Sequence, residues 1–114
     1  MVKRIVVGAH YGLRDWLAQR VTAVIMAAYT VIVAAKLLSG PSLTFTAWRD
    51  LFAHGWMRVA TLLFAVSVAW HMWVGVRDIL MDYVKADGVR LTLQVLVLVT
   101  IGAYAGWTIQ ILWR

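Results

Sequence analysis

Residues 59–83 read VATLLFAVSVAWHMWVGVRDILMDY, and the reading of this stretch decides the fold. From Val59 to Val76 it contains no Asp, Glu, Lys or Arg. A membrane-crossing helix needs roughly 20 mostly apolar residues to span about 30 Å of hydrocarbon, and this segment with its flanks supplies them. His71 lies inside the run. An ionisable side chain there costs on the order of a few kcal/mol, so it is a functional hypothesis by default. The question is what this histidine binds.

Two further stretches share the same character. Leu91 to Trp113 carries no charge, and Arg90 and Arg114 bracket it as interfacial anchors. Val21 to Ala35 is free of charge but too short to span, so that helix extends through Arg20 on one side and Lys36 on the other. Lys36 can snorkel to the interface. The expected spans are about 14–38, 57–82 and 90–113, which makes an all-α chain with one transmembrane domain over residues 1–114. Composition agrees: with 63% hydrophobic residues, 14% charged and no glutamate, polar surface is too scarce to cover a soluble globule. The mean hydropathy of +0.80 points the same way.

The connectors differ. Ser39-Gly40-Pro41-Ser42 is the usual helix-ending punctuation, and Leu43 to His54 is a mixed, Trp-bearing segment suited to a short interfacial piece. Lys85-Ala86-Asp87-Gly88 reads as a tight turn, which makes the second and third spans antiparallel neighbours. Lys3 and Arg4 imitate the basic start of a signal peptide, but Arg14, Asp15 and Arg20 intervene and the apolar run is too long, so the first span is expected to be retained. Three spans place Lys3, Arg4, Arg14, Arg20, Arg77, Lys85 and Arg90 on one side, and Lys36, Arg49, Arg58 and Arg114 on the other. The richer side should be cytoplasmic, with the N-terminus and the Asp82-Tyr83 corner on it and the C-terminus outside. The formal charge of +6 is mostly this topology signal, not the basic face of a nucleic-acid module. Without cysteine the chain holds no iron–sulfur cluster, and it has neither a phosphate loop nor a nucleophile-base constellation.

The second span carries the chemistry. Phe64, Ser67, His71, Gly75, Asp78 and Asp82 follow one helical stripe. Small Ser67 and Gly75, one turn to either side of His71, leave a notch with clearance for a flat macrocycle, and haem is the natural candidate for an imidazole between transmembrane helices. The competing reading is that His71 bonds to another helix and that Ser67 and Gly75 only permit close packing. His10 and His54 lie outside the spans, so a second haem histidine would come from another subunit, Met26 being the disfavoured alternative within the chain. Arg20 lies on the same side of the midplane as His71, where it either neutralises an acidic cofactor group or follows the positive-inside bias. Tyr83 supplies a phenol donor at the interface, with Asp82 beside it to hold the phenol or relay protons, as a quinone site needs. Tyrosine is also common in interfacial belts.

These residues carry a family resemblance. The string HMWVGVRDILMDYVK from His71 to Lys85 resembles the second-helix signature of the hydrophobic membrane anchor subunit of bacterial succinate dehydrogenase, of the small cytochrome b556-type. Arg20, Thr22 and Ala23 on the first span, Ser39, Gly40, Leu43, Thr44 and Trp48 in the connector, and Arg90, Leu91 and Gln94 on the third resemble that family too. The Val2 to Val7 stretch departs from it.

The resemblance implies a subunit of respiratory complex II in the bacterial inner membrane, part of a hetero-oligomeric helix bundle. A flavoprotein with FAD would oxidise succinate, an iron–sulfur subunit would conduct the electrons, and two small anchors would together hold haem b and a ubiquinone site. By position, His71 would be an axial ligand to the haem iron, Arg20 a haem-propionate partner and Tyr83 a hydrogen-bond donor to ubiquinone, with Asp82 in support. No catalytic activity is expected of the chain alone. The anchor of a quinol:fumarate reductase is the near alternative. A non-redox transport or assembly subunit is the distant one, and for transport an intramembrane carboxylate or a broken helix would be expected.

Overall fold

The computed structural model describes residues 9–40 and 44–114. They form four helices, α1 (Ala9–Ser39), α2 (Phe45–Ala53), α3 (Gly55–Tyr83) and α4 (Asp87–Leu112), with no strand among the described residues. Three stretches are long and apolar enough to cross a membrane: Gly12–Ser39, Gly55–Tyr83 and Asp87–Leu112. At about 1.5 Å per residue each exceeds a 30 Å hydrocarbon core, so the surplus turns reach the interfaces or accommodate tilt. Lys3, Arg4 and the Pro41-Ser42 part of the first connector lie outside the described residues.

Every boundary moves outward from its expected place except the end of the last helix. α1 starts at Ala9, about five residues before the expected span, with Arg14 exposed and Asp15 partly exposed on it. α3 covers 55–83, one to two residues beyond the expected span. The turn read at Lys85 to Gly88 is shorter: only Val84, Lys85 and Ala86 are non-helical, and Asp87 and Gly88 open α4. The reason is electrostatic. Asp87 is an anion in the first turn, where it complements the helix dipole, and its Oδ1 accepts from Arg90 Nη2 at 2.9 Å. The connector's interfacial piece is a real helix, capped where Thr44 Oγ1 accepts from Ala47 N at 3.1 Å. His54 then serves as the junction between α2 and α3, its carbonyl accepting from Met57 N and Arg58 N at 3.1 and 3.2 Å.

α3 is the central helix, with α1, α2 and α4 all packed on it. Yet the chain has almost no interior of its own. Among the described residues only Met57 and Val74 are buried apolar side chains, joined by the buried polar Thr22 and Ser67. Leu13, Val24, Val31 and Leu38 are more than two-thirds or nearly two-thirds exposed. Helices apolar all round suit lipid tails or other helices and not water, so this unit is not held together by a core of its own.

The α1/α3 seam shows how the pair is held in antiparallel register. From the Tyr83 end, Asp15 accepts a hydrogen bond from Arg77, Gln19 lies beside Gly75, Thr22 meets His71, Tyr29 meets Thr61 and Phe64, and Lys36 lies over Trp56. The Tyr29 and Phe64 rings stack with centroids 4.5 Å apart, and Tyr29 OH donates to Thr61 Oγ1 at 2.7 Å, the Thr61 hydroxyl itself donating to Met57 O. Lys36 Nζ is 5.6 Å from the Trp56 ring centre, so the snorkelling lysine also clamps the opposite end of the seam.

Gly75 lies on the seam beside Gln19. A Cβ there would lie 4.0 Å from Gln19 Nε2, an ordinary contact, so Gly75→Ala should fold normally. Gly75→Leu should instead wedge α1 off α3, with an overpacking cost of about 1–3 kcal/mol. Recovery of folded protein in detergent, with a thermal melt, checks this pair; equal behaviour of the two variants would show that the seam does not close at Gly75.

Candidate functional site

From Phe64 to Gly75 the stripe on α3 faces α1, whereas Asp78 and Asp82 at its end are exposed. Phe64 stacks on Tyr29, Ser67 is buried, His71 bonds to Thr22 and Gly75 lies beside Gln19. The clearance expected for a macrocycle beside Ser67 and Gly75 is therefore taken up within the chain by α1. The small residues serve close helix packing, which lets a threonine reach the imidazole.

The chemistry of that contact bears on the state of His71. Thr22 has one hydroxyl proton, and it goes to Ala18 O four residues back at 2.6 Å. Its oxygen is then an acceptor, and His71 Nδ1 lies 3.0 Å from it. In the tautomer that suits this contact Nδ1 carries the imidazole proton and the Nε2 lone pair is uncommitted. Nε2 makes no hydrogen bond among the described residues, and the side chain is partly exposed, so the ring is accessible from outside the seam. A histidine whose far nitrogen is held by an oxygen acceptor is oriented as metal-ligating histidines are. The residues present thus fit ligation through Nε2. Among the described residues no group of three or more His, Cys, Asp or Glu side chains comes together to hold a metal ion.

Around this contact the seam is polar toward the Tyr83 end. Gln19, one turn from Thr22, buries its Oε1 without a partner. Below it Asp15 and Arg77 form an ion pair with both side chains roughly three-quarters covered, and Arg77 also approaches Asp78 Oδ1 at 3.7 Å. This clamp was not foreseen from the sequence, where Arg77 counted only as a topology charge. It ties the two helices together just beneath His71. Partial exposure limits its strength: a double-mutant cycle with Asp15→Asn and Arg77→Gln should give a coupling of about 1 kcal/mol or less in thermal stability. Simple additivity of the two single variants would remove the clamp from the account.

Arg20, which the sequence leaves as either a partner of an acidic cofactor group or a positive-inside charge, does not face the α1/α3 seam. Two residues before Thr22, it points roughly 160° away from the seam, is exposed, and lies over the Trp16 ring at 5.6 Å from its centre. It stands about 3 Å along the axis from Thr22, near the depth of His71, but the chain itself does not bring the two together. Asp82 and Tyr83 close α3 and are both exposed, Tyr83 at 80%. They lie about 17 Å along the helix from His71. Trp70 beside His71 is half exposed and is not packed into the chain's own seam. His54 is an N-terminal flank of α3 and makes no side-chain cap, as expected of a residue outside the spans, while the side chain of His10 lies outside the described residues.

The geometry defines a class: a multi-pass membrane subunit that carries one oriented imidazole and leaves most of its surface for other components. Comparison with known proteins specifies it further. Residues 3–106 match the family described as the succinate dehydrogenase/fumarate reductase transmembrane subunit. The chain is also 39% identical over 102 residues to the succinate dehydrogenase hydrophobic membrane anchor subunit of Coxiella burnetii, an alignment covering 90% of this chain and 89% of that one. This chain belongs to the succinate dehydrogenase/fumarate reductase transmembrane subunit family.

Proposed function

We propose that this chain is one of two membrane anchors of a succinate:quinone oxidoreductase of the bacterial inner membrane, and that His71 Nε2 is an axial ligand to a haem b shared with the second anchor. The single observation that carries the ligand reading is the Thr22–His71 contact, which suits the tautomer with the proton on Nδ1 and Nε2 free. Haem b, when bound, supplies a one-electron redox centre within the membrane. The other imidazole would come from the second anchor, since neither His10 nor His54 lies within a membrane-crossing stretch. Arg20, exposed near the depth of His71, is available to an anionic group such as a propionate presented by a neighbour at its face.

Tyr83 and Asp82 do the chain's share of quinone chemistry. The phenol donates a hydrogen bond to a ubiquinone carbonyl oxygen, and the carboxylate orients the phenol and relays protons from the adjoining water. Their exposure at the end of α3 leaves both open to a site completed by other subunits. The flavoprotein and iron–sulfur partners would deliver the electrons from succinate, with the Tyr83 end of the bundle on the cytoplasmic side because that side holds the richer share of Lys and Arg. A fumarate-reducing complex would use the same parts in reverse. The absence of a carboxylate within the apolar run of α3, together with unbroken membrane helices, disfavours a transporter.

Purification through a tag on this chain tests the assignment. A flavoprotein, an iron–sulfur protein and a b-type haem should copurify, with succinate bleaching the flavin. A preparation lacking the flavin and iron–sulfur subunits would contradict it. Within that complex, Thr22→Val should lower haem retention through detergent washing by about tenfold or more, the usual loss on removing a partner that orients a metal ligand, while Thr22→Ser preserves it. Unchanged haem in Thr22→Val would free His71 from dependence on this contact.

A further inference from the structure

Away from His71, the opposite end of the bundle carries a cleft that the quinone and haem readings do not use. α2, the first turns of α3 and the last turns of α4 enclose about 710 Å³, with Phe45, Trp48 and Phe52 on one wall and Arg49, Arg58 and Arg114 around it. No Asp or Glu lines it. Arg58 is held in place because its Nε donates to Phe52 O at 2.9 Å, and Arg49 and Arg114 make no ion pair among the described residues.

The cleft does not end at the interface. A second hollow of about 320 Å³ shares Thr61 and Thr108 with it and continues between α3 and α4. Its lining is almost wholly apolar, including Phe64, Val68, Met72 and Ile101. From Thr61 to Met72 this seam descends about 16 Å along α3. The two hollows in series therefore combine a strongly cationic aromatic mouth at a membrane interface with a narrow apolar track toward the bilayer interior.

We propose that this compound cleft binds an anionic phospholipid, its phosphate among Arg49, Arg58 and Arg114 and one acyl chain in the α3/α4 track. Guanidinium groups in this number match a phosphate diester, which accepts forked hydrogen bonds. Aromatic side chains at the mouth suit the glycerol level of the interface, where rings with one polar edge collect. A free anion would use the mouth but gain nothing from the track. A neutral lipid would use the track but leave three arginines without a counter-charge. A protein partner is disfavoured as occupant because the track follows lipid geometry, running from the interface toward the midplane along a helix seam.

The test uses the purified complex, delipidated in mild detergent and re-exposed to mixed micelles containing phosphatidylglycerol or phosphatidylcholine with the same acyl chains. Bound lipid is counted by mass spectrometry against subunit content. The wild-type complex should retain phosphatidylglycerol about tenfold or more over phosphatidylcholine, and Arg49→Gln/Arg114→Gln should lose that preference. This double variant spares Arg58, whose contact with Phe52 helps set α2. Ala105→Trp, which fills the track while keeping every charge, should also lower phosphatidylglycerol retention. Equal retention of the two lipids by the wild type, undiminished preference in the double variant, or displacement of the lipid by inorganic phosphate at matched concentration would each overturn the proposal. So would a crosslink from position 49 to another subunit in place of a photoactivatable lipid.

Discussion

His71→Ala removes the b-type haem band from the reduced-minus-oxidised spectrum of the purified complex, while the flavin and iron–sulfur signals remain. This is the largest effect expected of any single change in the chain. Deleting the imidazole takes away the iron ligand proposed for this chain, and the rest of the seam offers no substitute. Thr22 and Ser67 have only hydroxyls, that of Thr22 already bonded, and Gln19 has only an amide. The substitution also leaves Thr22 Oγ1 without its imidazole donor, an uncompensated change worth about 1–3 kcal/mol in a dry site. Some loss of assembly is therefore expected alongside the loss of haem, and the subunit ratio must be measured with the spectrum. A fully assembled complex whose haem band is undiminished would contradict the ligand assignment.

Tyr83→Phe should act at the other end of α3 and on a different assay. The substitution keeps the ring and deletes the hydroxyl, so succinate:quinone turnover should fall by about tenfold or more, the equivalent of losing a hydrogen bond worth about 1.4 kcal/mol in the transition state. Succinate oxidation by an artificial acceptor should be unchanged, because nothing at position 83 supports the packing of the chain: the side chain is 80% exposed and makes no hydrogen bond among the described residues. Asp82→Asn should show the same split in milder form, since it acts through the phenol and through proton supply. Equal losses in both assays would indicate failed assembly, and no loss in either would remove Tyr83 from the quinone site.

The helices were legible because the apolar runs are long and their charged brackets sharp. Arg114 marks the end of the last helix to within two residues, whereas Arg90 lies inside α4, three residues past its start. Boundaries were less legible where polar residues are helical for reasons that lie outside periodicity. Asp87 reads as a turn former by composition, yet it opens α4 as a first-turn anion paired with Arg90. Asp15 entered the sequence reading only as a charge that argues against a signal peptide, yet it is half of the Arg77 clamp.

The site was half legible for the same reason. An unexplained histidine in an apolar run, with Ser67 and Gly75 on its stripe, was visible as either a cofactor ligand or a packing residue. In the structure α1 fills the notch and Thr22 meets the ring, which is the packing alternative, and the ligand reading rests on the nitrogen that this contact leaves over. Thr22 is what the stripe alone does not reveal. Its signal is a threonine at a matching depth on the neighbouring antiparallel helix, one whose proton returns to its own backbone and whose oxygen is left to accept. Arg20 stayed ambiguous because a positive charge near an interface follows from topology as readily as from a cofactor. Its exposure over Trp16 moves its partner outside the chain.

The central claim is that this chain presents His71 Nε2 to a haem iron, and it is tested most directly by pulsed electron paramagnetic resonance on the oxidised complex assembled with only this chain labelled in ¹⁵N-histidine. The account predicts a low-spin ferric haem with one strongly coupled axial ¹⁵N, a coupling that is absent when the only change is His71→Ala and that persists in His54→Ala. A low-spin haem whose axial nitrogens are all ¹⁴N would contradict it, because both ligands would then belong to other subunits.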